Sequence, residues 1–365
     1  MNAQPQLFNE ISQLLELARK RVVTTVNQTM VITYFEIGRV IVEDEQNGEN
    51  RAEYGKAILK DLSLHLIERF GKGFSQRNLE QMRQFYLSYS ITKTVSAQLR
   101  ISSNTKTQTL SAELQNTDNQ ELEASEISSR KYFPQFHLSW SHYLKLMRIN
   151  NIEERKFYEI EAYKNNWSLR ELQRQFDSAL YTRLSLSKNK EEILQLSEKG
   201  QILEKPKDIV KDPYILEFLG LSEKSSYSEN DLEAGLIDKL EHFLLELGTG
   251  FTFVARQNRI TFDEKHFKID LVFYNRILKC FVLIDLKIGE LKHQDIGQMQ
   301  MYVNYYDREV KLSDENKTIG IILCQDKSEA LVEYTLPEDN EQIFASKYLT
   351  VLPSKEDFIK ILEEN

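Results

Sequence analysis

The run CFVLIDLKIG, residues 280–289, constrains the chain more than any other stretch: a segment this apolar must be buried, yet it carries an acid and an amine. Its length and composition predict a strand, and the β-branched, aromatic segment 267–274 before it predicts another, with 276–279 as the hairpin turn. Side chains alternate across a strand, so Asp285 and Lys287 continue the face that carries Phe281 and Leu283. Asp270 likewise interrupts the first strand between Ile269 and Leu271. Buried ionised groups need partners or a metal ion. The plain alternative is an Asp285–Lys287 salt bridge at a strand end, with Asp270 solvated near a turn.

The order of the residues adds to this. An acid in one strand, a turn, acid-x-Lys at the end of the next strand, and then a helix carrying Gln298 and Tyr302 one turn apart on one face form a set. That set resembles the PD-(D/E)xK nuclease superfamily, whose core is a strand with an Asp, a strand with (D/E)xK, and flanking helices. The segment from Gln298 to Tyr302 resembles the Q-x-x-x-Y element of its RecB-type branch. Ile269 stands where the eponymous proline would be, and Asp285 replaces the commoner Glu, shortening the reach by a methylene. The resemblance implies a restriction-endonuclease-like α/β/α domain with a mixed sheet, and a catalytic set of Asp270, Asp285, Lys287, Gln298 and Tyr302. It also implies Mg²⁺ or Mn²⁺ held by Asp270, Asp285 and the Leu286 carbonyl. Such an ion stabilises charge on phosphoryl oxygens and activates water, which phosphodiester hydrolysis requires. Lys287 would orient the water, help deprotonate it, or neutralise developing charge.

The surrounding pattern fits an α/β layer. Residues 230–247 predict one helix with Leu236, Ile237, Leu240, Leu244 and Leu247 buried, and Glu233 on the same stripe. Glu233 is either a helix-end charge favoured by the dipole or a further metal ligand, since superfamily members place an acid on the helix before the core sheet. Glu241 and Glu246 fall off the stripe and are expected in solvent. A strand at 251–257 leads into Arg256, Gln257 and Arg259, which would contact a phosphate or close strand-end salt bridges. Residues 318–324 predict a buried strand, 331–334, Phe344 and 348–352 further strands or edges, and 358–362 a closing helix. His266 and His293 border the site, but the chain lacks the Cys and His spacing of a zinc site.

The first half reads as helical. Apolar residues from Leu7 to Val42 recur at helical spacing and predict two long helices. Next come a helix over 52–70, the break Gly71-Lys72-Gly73, and a second helix with Ser75 as its cap. This is a helix-turn-helix outline, with Lys72, Arg77 and Arg83 as basic groups and Gln76 and Asn78 placed to read base edges. An ordinary helical hairpin shares the same grammar. Residues 88–130, dense in Ser, Thr, Gln and Asn, predict a flexible insert. Ser168 and Glu171 form a capping box, and Trp140 and Trp167 are expected in the core. Lys205-Pro206, Asp212-Pro213 and a serine run mark 185–228 as a connection. The expected organisation is α+β: an all-helical, winged-helix or helix-turn-helix-like DNA-binding domain at 1–184, a linker at 185–228, and the nuclease domain at 229–365.

The N-terminal YGKAILKDLSLHLIERFGKGFSQRNLEQMRQFY and the C-terminal FLLELGTGFTFVARQ, IDLVFYN, IDLKIG and GQMQMY together resemble the YhcG-type nucleases of bacteria. That likeness implies a helical, winged-helix-type DNA-binding domain followed by a PD-(D/E)xK catalytic domain. Composition bounds the reading without deciding it. With 365 residues, 41% hydrophobic and 28% charged, the chain suits two globular domains. A net charge of -9 argues against a protein that coats nucleic acid, so local patches decide. Two cysteines in apolar runs and no membrane-length segment predict a cytoplasmic protein. A homodimer would suit a nuclease cutting two strands. The rival is a non-catalytic DNA-binding or assembly protein on a degenerate nuclease fold.

Overall fold

The computed structural model describes residues 4–47, 51–103, 136–186, 188–221, 227–262 and 264–364. Two units divide it, Met1–Leu172 and Gln173–Asn365.

The first unit is helical. α1 (Gln4–Asn47) is one helix of 44 residues where two were expected, because nothing after Pro5 in the first turn breaks it. Its second half buries Val31, Phe35, Ile41 and Val42, while Leu14, Leu17 and Val22 of the first half, and Val26 just beyond it, are exposed. α2 (Arg51–Phe70) and α3 (Gln76–Ser103) follow, separated by Gly71 and a single 3₁₀ turn, Lys72–Phe74. α3 therefore enters the stretch expected to be a polar insert; residues 104–135 lie outside the described residues. Then come α4 (Trp140–Leu146) and α5 (Ile152–Lys164), and α6 (Leu169–Asp177) spans the division. Aromatic side chains fill the centre. Phe85 meets Phe35 at 5.7 Å, Trp140 at 5.2 Å and Tyr143 at 5.2 Å, and Trp167 is buried, so both tryptophans serve the core.

The second unit is a six-stranded sheet between helices. Its strands are β1 (Tyr214–Ile215), β2 (Phe251–Phe262), β3 (Lys265–Asn275), β4 (Cys280–Leu286), β5 (Ile319–Cys324) and β6 (Ile343–Leu349). They lie in the order β1-β6-β5-β4-β3-β2. β2, β3 and β4 pair antiparallel, and β4, β5, β6 and β1 pair parallel, so the sheet is mixed. Residues 185–228, expected as a connection, contain α8 (Lys190–Lys199), which follows α7 (Leu180–Ser185), and also β1, an edge strand of the sheet. The serine run at 222–226 lies outside the described residues.

The helix expected over 230–247 is two helices, α9 (Glu229–Asp238) and α10 (Leu240–Leu247), parted at Lys239 by a non-helical φ of -116°. They cover one face of the sheet with Leu232, Leu236 and Phe243 against Phe273, Ile284 and Leu286. α11 (His293–Tyr305) covers the other with Met299, Tyr302 and Val303 against Leu283 and Ile322. Gly320 brings this helix down onto β5: a Cβ there would lie 2.5 Å from the Met299 sulfur. α12 (Glu329–Thr335) replaces the strand expected at 331–334, because the Ser328 hydroxyl caps its start by accepting from Leu331 N at 3.3 Å. α13 (Lys355–Glu364) closes the chain.

Glu246, expected in solvent, is fully buried. Its carboxylate accepts from Arg183 Nη1 at 2.8 Å, from Arg174 Nη2 at 3.3 Å and from Ile215 N at 3.0 Å. Burial alone would raise its pKa, but Arg183, Lys211 and Arg174 hold it down to about 2. Cys280 and Cys324 are free and buried, as expected. No helix among the described residues is long and apolar enough to cross a membrane.

Candidate active site

β4 runs as an apolar strand through the middle of the sheet, and its last turns deliver Asp285 and then Lys287 to the α11 face. Asp285 is 2% exposed, and its Oδ2 lies 2.7 Å from Lys287 Nζ. On the neighbouring β3, Asp270 accepts from the Leu286 backbone N–H through Oδ2 at 2.8 Å. That bond ties the first acid to the peptide between the second acid and the lysine. The expected trio is therefore brought together by two antiparallel strands and one backbone hydrogen bond.

Electrostatics mark the pair as an uneasy one. Burial and then the Asp270 carboxylate push Asp285 up to about 7 against the pull of Lys287. Burial also raises Asp270, opposed by the Leu286 N–H and Lys287. Burial works against the charge on Lys287, yet Asp285, with Glu229 and Asp270 behind it, holds the ammonium pKa above normal. Two carboxylates in contact cannot both ionise cheaply without a compensating cation.

A third acid arrives from the opposite layer. Glu233 of α9 is 5% exposed, and its Oε2 accepts from the Gln257 side-chain amide, which also donates to Asp270 Oδ1 at 3.2 Å. Glu233 Oε1 is buried with no hydrogen-bond partner among the described residues; Arg256 Nε lies 3.6 Å away, from a side chain that is mostly exposed. Gln257 sits opposite Asp270 between the Arg256–Leu271 and Asn258–Ile269 pairs, at a φ of 46°. A left-handed backbone in a strand costs energy, and here it turns the amide into the gap between two acids. The sequence placed Gln257 among residues for a phosphate contact or a strand-end salt bridge, because no pattern in a sequence announces a positive φ. Glu229 was overlooked: it lies one turn before Glu233, and its Oε1 accepts from Ile288 N at 3.3 Å.

α11 supplies the remaining predicted residues. Gln298 donates from its side-chain amide to the Tyr302 hydroxyl, and Tyr302 donates to the Lys268 carbonyl of β3 at 2.8 Å. The two thus bridge the helix to the Asp270 strand. His266 is held elsewhere, between Arg259 and Thr261 on the exposed end of the hairpin. The residues predicted to touch DNA in the first unit divide into two sets. Lys72 and Arg77 are exposed, whereas Gln76 bonds Glu80 at 3.0 Å, Asn78 bonds the Gly73 carbonyl at 2.9 Å, and Arg83 grips Glu45 of α1 at 2.7 Å.

Two family models match the chain, the DUF1016 N-terminal domain over residues 10–183 and the YhcG PDDEXK nuclease domain over residues 207–363. A relative from Escherichia coli (strain K12), described as "Putative nuclease YhcG", is 39% identical over 355 residues, 96% of this chain and 91% of that one. The chain belongs to the YhcG family. Its second unit is accordingly a nuclease domain of the PD-(D/E)xK type with a restriction-endonuclease-like fold, and every candidate residue from Glu229 to Tyr302 falls inside the matched segment. Among solved structures, a repair endonuclease from Pyrococcus abyssi is similar with a TM-score of 0.24 and 17% identity, over 34% of this chain and 49% of that one. A complex of EndoMS with double-stranded DNA is similar with a TM-score of 0.24 and 14% identity, over 37% of this chain and 50% of that one. Likenesses at that score, spanning about half of each structure, carry no weight for the chemistry.

Proposed function

We propose that the YhcG-type unit hydrolyses phosphodiester bonds of DNA as a divalent-ion-dependent endonuclease, with Asp270, Asp285 and Lys287 at its centre. The observation that carries this reading is the convergence of the half-buried Asp270 and the buried Asp285, two carboxylates in one electrostatic cluster, on a lysine 2.7 Å from the second of them. As a purely structural ion pair, one acid would suffice.

The donor set suits a hard cation, being made of oxygen atoms with no soft ligand. No group of three or more acidic, His or Cys side chains poised around an ion occurs among the described residues, because Glu233 is turned toward Gln257 and Arg256. The orphaned Glu233 Oε1 and the raised carboxylates are nonetheless what a missing cation would relieve. Asp270, Asp285 and the Leu286 carbonyl would hold Mg²⁺ or Mn²⁺, with Glu233 as a further ligand. Once bound, the ion would stabilise charge on the phosphoryl oxygens and activate water.

The chain's own groups do the rest. Lys287 carries a fixed positive charge toward the developing phosphoryl charge, steered by Asp285. Gln298 and Tyr302 hold the helix against the Asp270 strand and present a polar edge to the scissile phosphate. Gln257 keeps Glu233 and Asp270 from separating. Lys72 and Arg77 of the helix-turn-helix-like pair give the helical unit an exposed basic corner for gripping the DNA backbone. Gln76, Asn78 and Arg83 serve that corner by shaping it.

The test is cleavage of plasmid, linear duplex, single-stranded DNA and RNA in Mg²⁺ or Mn²⁺, comparing wild type with Asp285→Ala and Lys287→Ala. Ion-dependent cleavage of DNA by wild type alone is expected. Equal products from all three proteins, or from none, would refute the assignment.

A further inference from the structure

Beside the candidate active site lies a groove of about 630 Å³ between the end of the β2–β3 hairpin and α11. It does not hold the acids, and nothing in the chemistry above uses it. Its wall is aromatic: Phe262 packs against Phe267 at 6.2 Å and against Tyr305 at 5.4 Å, forming a continuous shelf that is only half-buried. Lys265 and Arg308, both exposed, also line it, and Glu309 is the acidic group in the lining. Rings beside cations are the chemistry of a stacked base and its phosphates.

Two further observations connect the groove to the reaction. Gly297 lines it from the fifth position of α11, where glycine weakens a helix relative to alanine. A Cβ at Gly297 would meet no atom within 4 Å, so packing within the chain does not require the glycine. A ligand lying against the helix backbone would. The groove is also built on the same elements as the site. Phe267, Gly297 and Met301 line it, while their chain neighbours Lys268, Gln298 and Tyr302 form the hydrogen-bonded bridge beside Asp270.

We propose that this groove takes an unpaired nucleotide of the strand being cut, its base stacked on the Phe262–Phe267–Tyr305 shelf and its phosphates met by Lys265 and Arg308. The substrate class is thus nucleic acid with a single-stranded segment next to the scissile bond. The proposal deepens the nuclease reading and rests on it for the direction in which the strand leaves, but binding can be measured without cleavage.

The full-length protein, without divalent ions, is titrated with fluorescent oligothymidylate, oligouridylate and a duplex of equal length, followed by anisotropy. Gly297→Leu fills the groove from a position with room for a side chain, and Lys265→Glu/Arg308→Glu reverses its charge; Gly297→Ala is the control that keeps it open. Stacking of one base is worth enough that both the Leu and the charge-reversed variants should lose roughly ten-fold or more in single-strand affinity. Gly297→Ala should match wild type, and duplex affinity should change far less than single-strand affinity. A 2-aminopurine oligonucleotide should be quenched by wild type and not by Gly297→Leu. Preference between the DNA and RNA oligomers identifies which strand the groove takes, and loss of either on Gly297→Leu supports it. Wild-type affinity in Gly297→Leu, or failure of wild type to bind either single strand, overturns the proposal even if the protein cleaves DNA. Loss of binding in Gly297→Leu by a protein that cleaves nothing leaves the groove standing and removes the hydrolytic reading.

Discussion

Glu246→Gln should cost the second unit about 3–4 kcal/mol of stability, a figure reached from two sides. The carboxylate is fully buried among Arg183, Arg174 and Lys211, which hold its pKa at about 2 against an ordinary 4.5. A depression of that size, at about 1.4 kcal/mol per pH unit, corresponds to roughly 3 kcal/mol favouring the ionised form in the folded state. Independently, removing one partner of a buried ion pair typically costs about 3–5 kcal/mol because a charge is left unpaired. The glutamine oxygen could still accept from Arg183 Nη1 and Ile215 N, which share Oε1 at 2.8 and 3.0 Å, but its amide nitrogen would face Arg174 Nη2, which loses an acceptor at 3.3 Å, and the fully buried Arg183 would lose its counter-charge. The sign with pH follows from the depressed pKa. The contribution is complete above pH 4.5 and is lost as pH falls toward 2, so the variant and wild type should converge in acid. Trp140 and Trp167 both lie in the first unit, so tryptophan fluorescence is not the direct probe of this change. Urea unfolding followed by far-UV circular dichroism, with amide exchange on β5 as a second probe, reads it. A loss below about 1 kcal/mol at pH 7 would refute the view that these charges are mutually dependent.

Other expectations concern the site and the helical unit. Mg²⁺ or Mn²⁺ at a hundred-fold excess over its dissociation constant should stabilise wild type by about 2.7 kcal/mol, and Asp285→Asn or Asp270→Asn should abolish that shift in thermal melting. Lys287→Ala should keep the ion-dependent shift yet lower cleavage at least about 100-fold, separating the charge it contributes from ion binding. Gln257→Ala should leave folding intact while weakening ion affinity, measured by calorimetry, because Glu233 and Asp270 lose their shared donor. In the helical unit, burial raises Glu159 to about 7 even though Tyr143 donates to it at 3.0 Å. The folded state therefore binds the extra proton between pH 4.5 and 7, and stability should fall as pH rises through that window. Glu159→Gln should flatten the fall, which tryptophan fluorescence in this unit can follow.

What the sequence revealed depended on how local the cause was. Alternation along 267–274 and 280–289 was enough to pair the strands and to put Asp285 beside Lys287, because strand periodicity and a four-residue turn are short-range properties. Spacing of four placed Gln298 and Tyr302 on one helix face for the same reason. Glu233 was legible as an acid on an apolar stripe, though not its grip on Gln257, which depends on a left-handed residue in another strand. Glu246 misled because its three cationic neighbours come from residues 174, 183 and 211, and no local pattern links them to α10. The strand expected at 331–334 gave way to a helix because a serine cap outweighed the local run of Leu, Val and Tyr.

Gly320 has a bearing on the proposed reaction that its position, hidden in the middle of β5, would not suggest. Its missing side chain sets the clearance between sheet and α11, with Met299 and Val303 seated directly on it. Tyr302 and Gln298 ride on that same helix, so a single methyl at position 320 would act as a shim, tilting the polar edge away from the acids without touching any of them. Any viable variant larger than glycine here must be matched by a smaller residue at 299 or 303, and this coupled pair of changes is the signature by which the helix height can be read as part of the machinery.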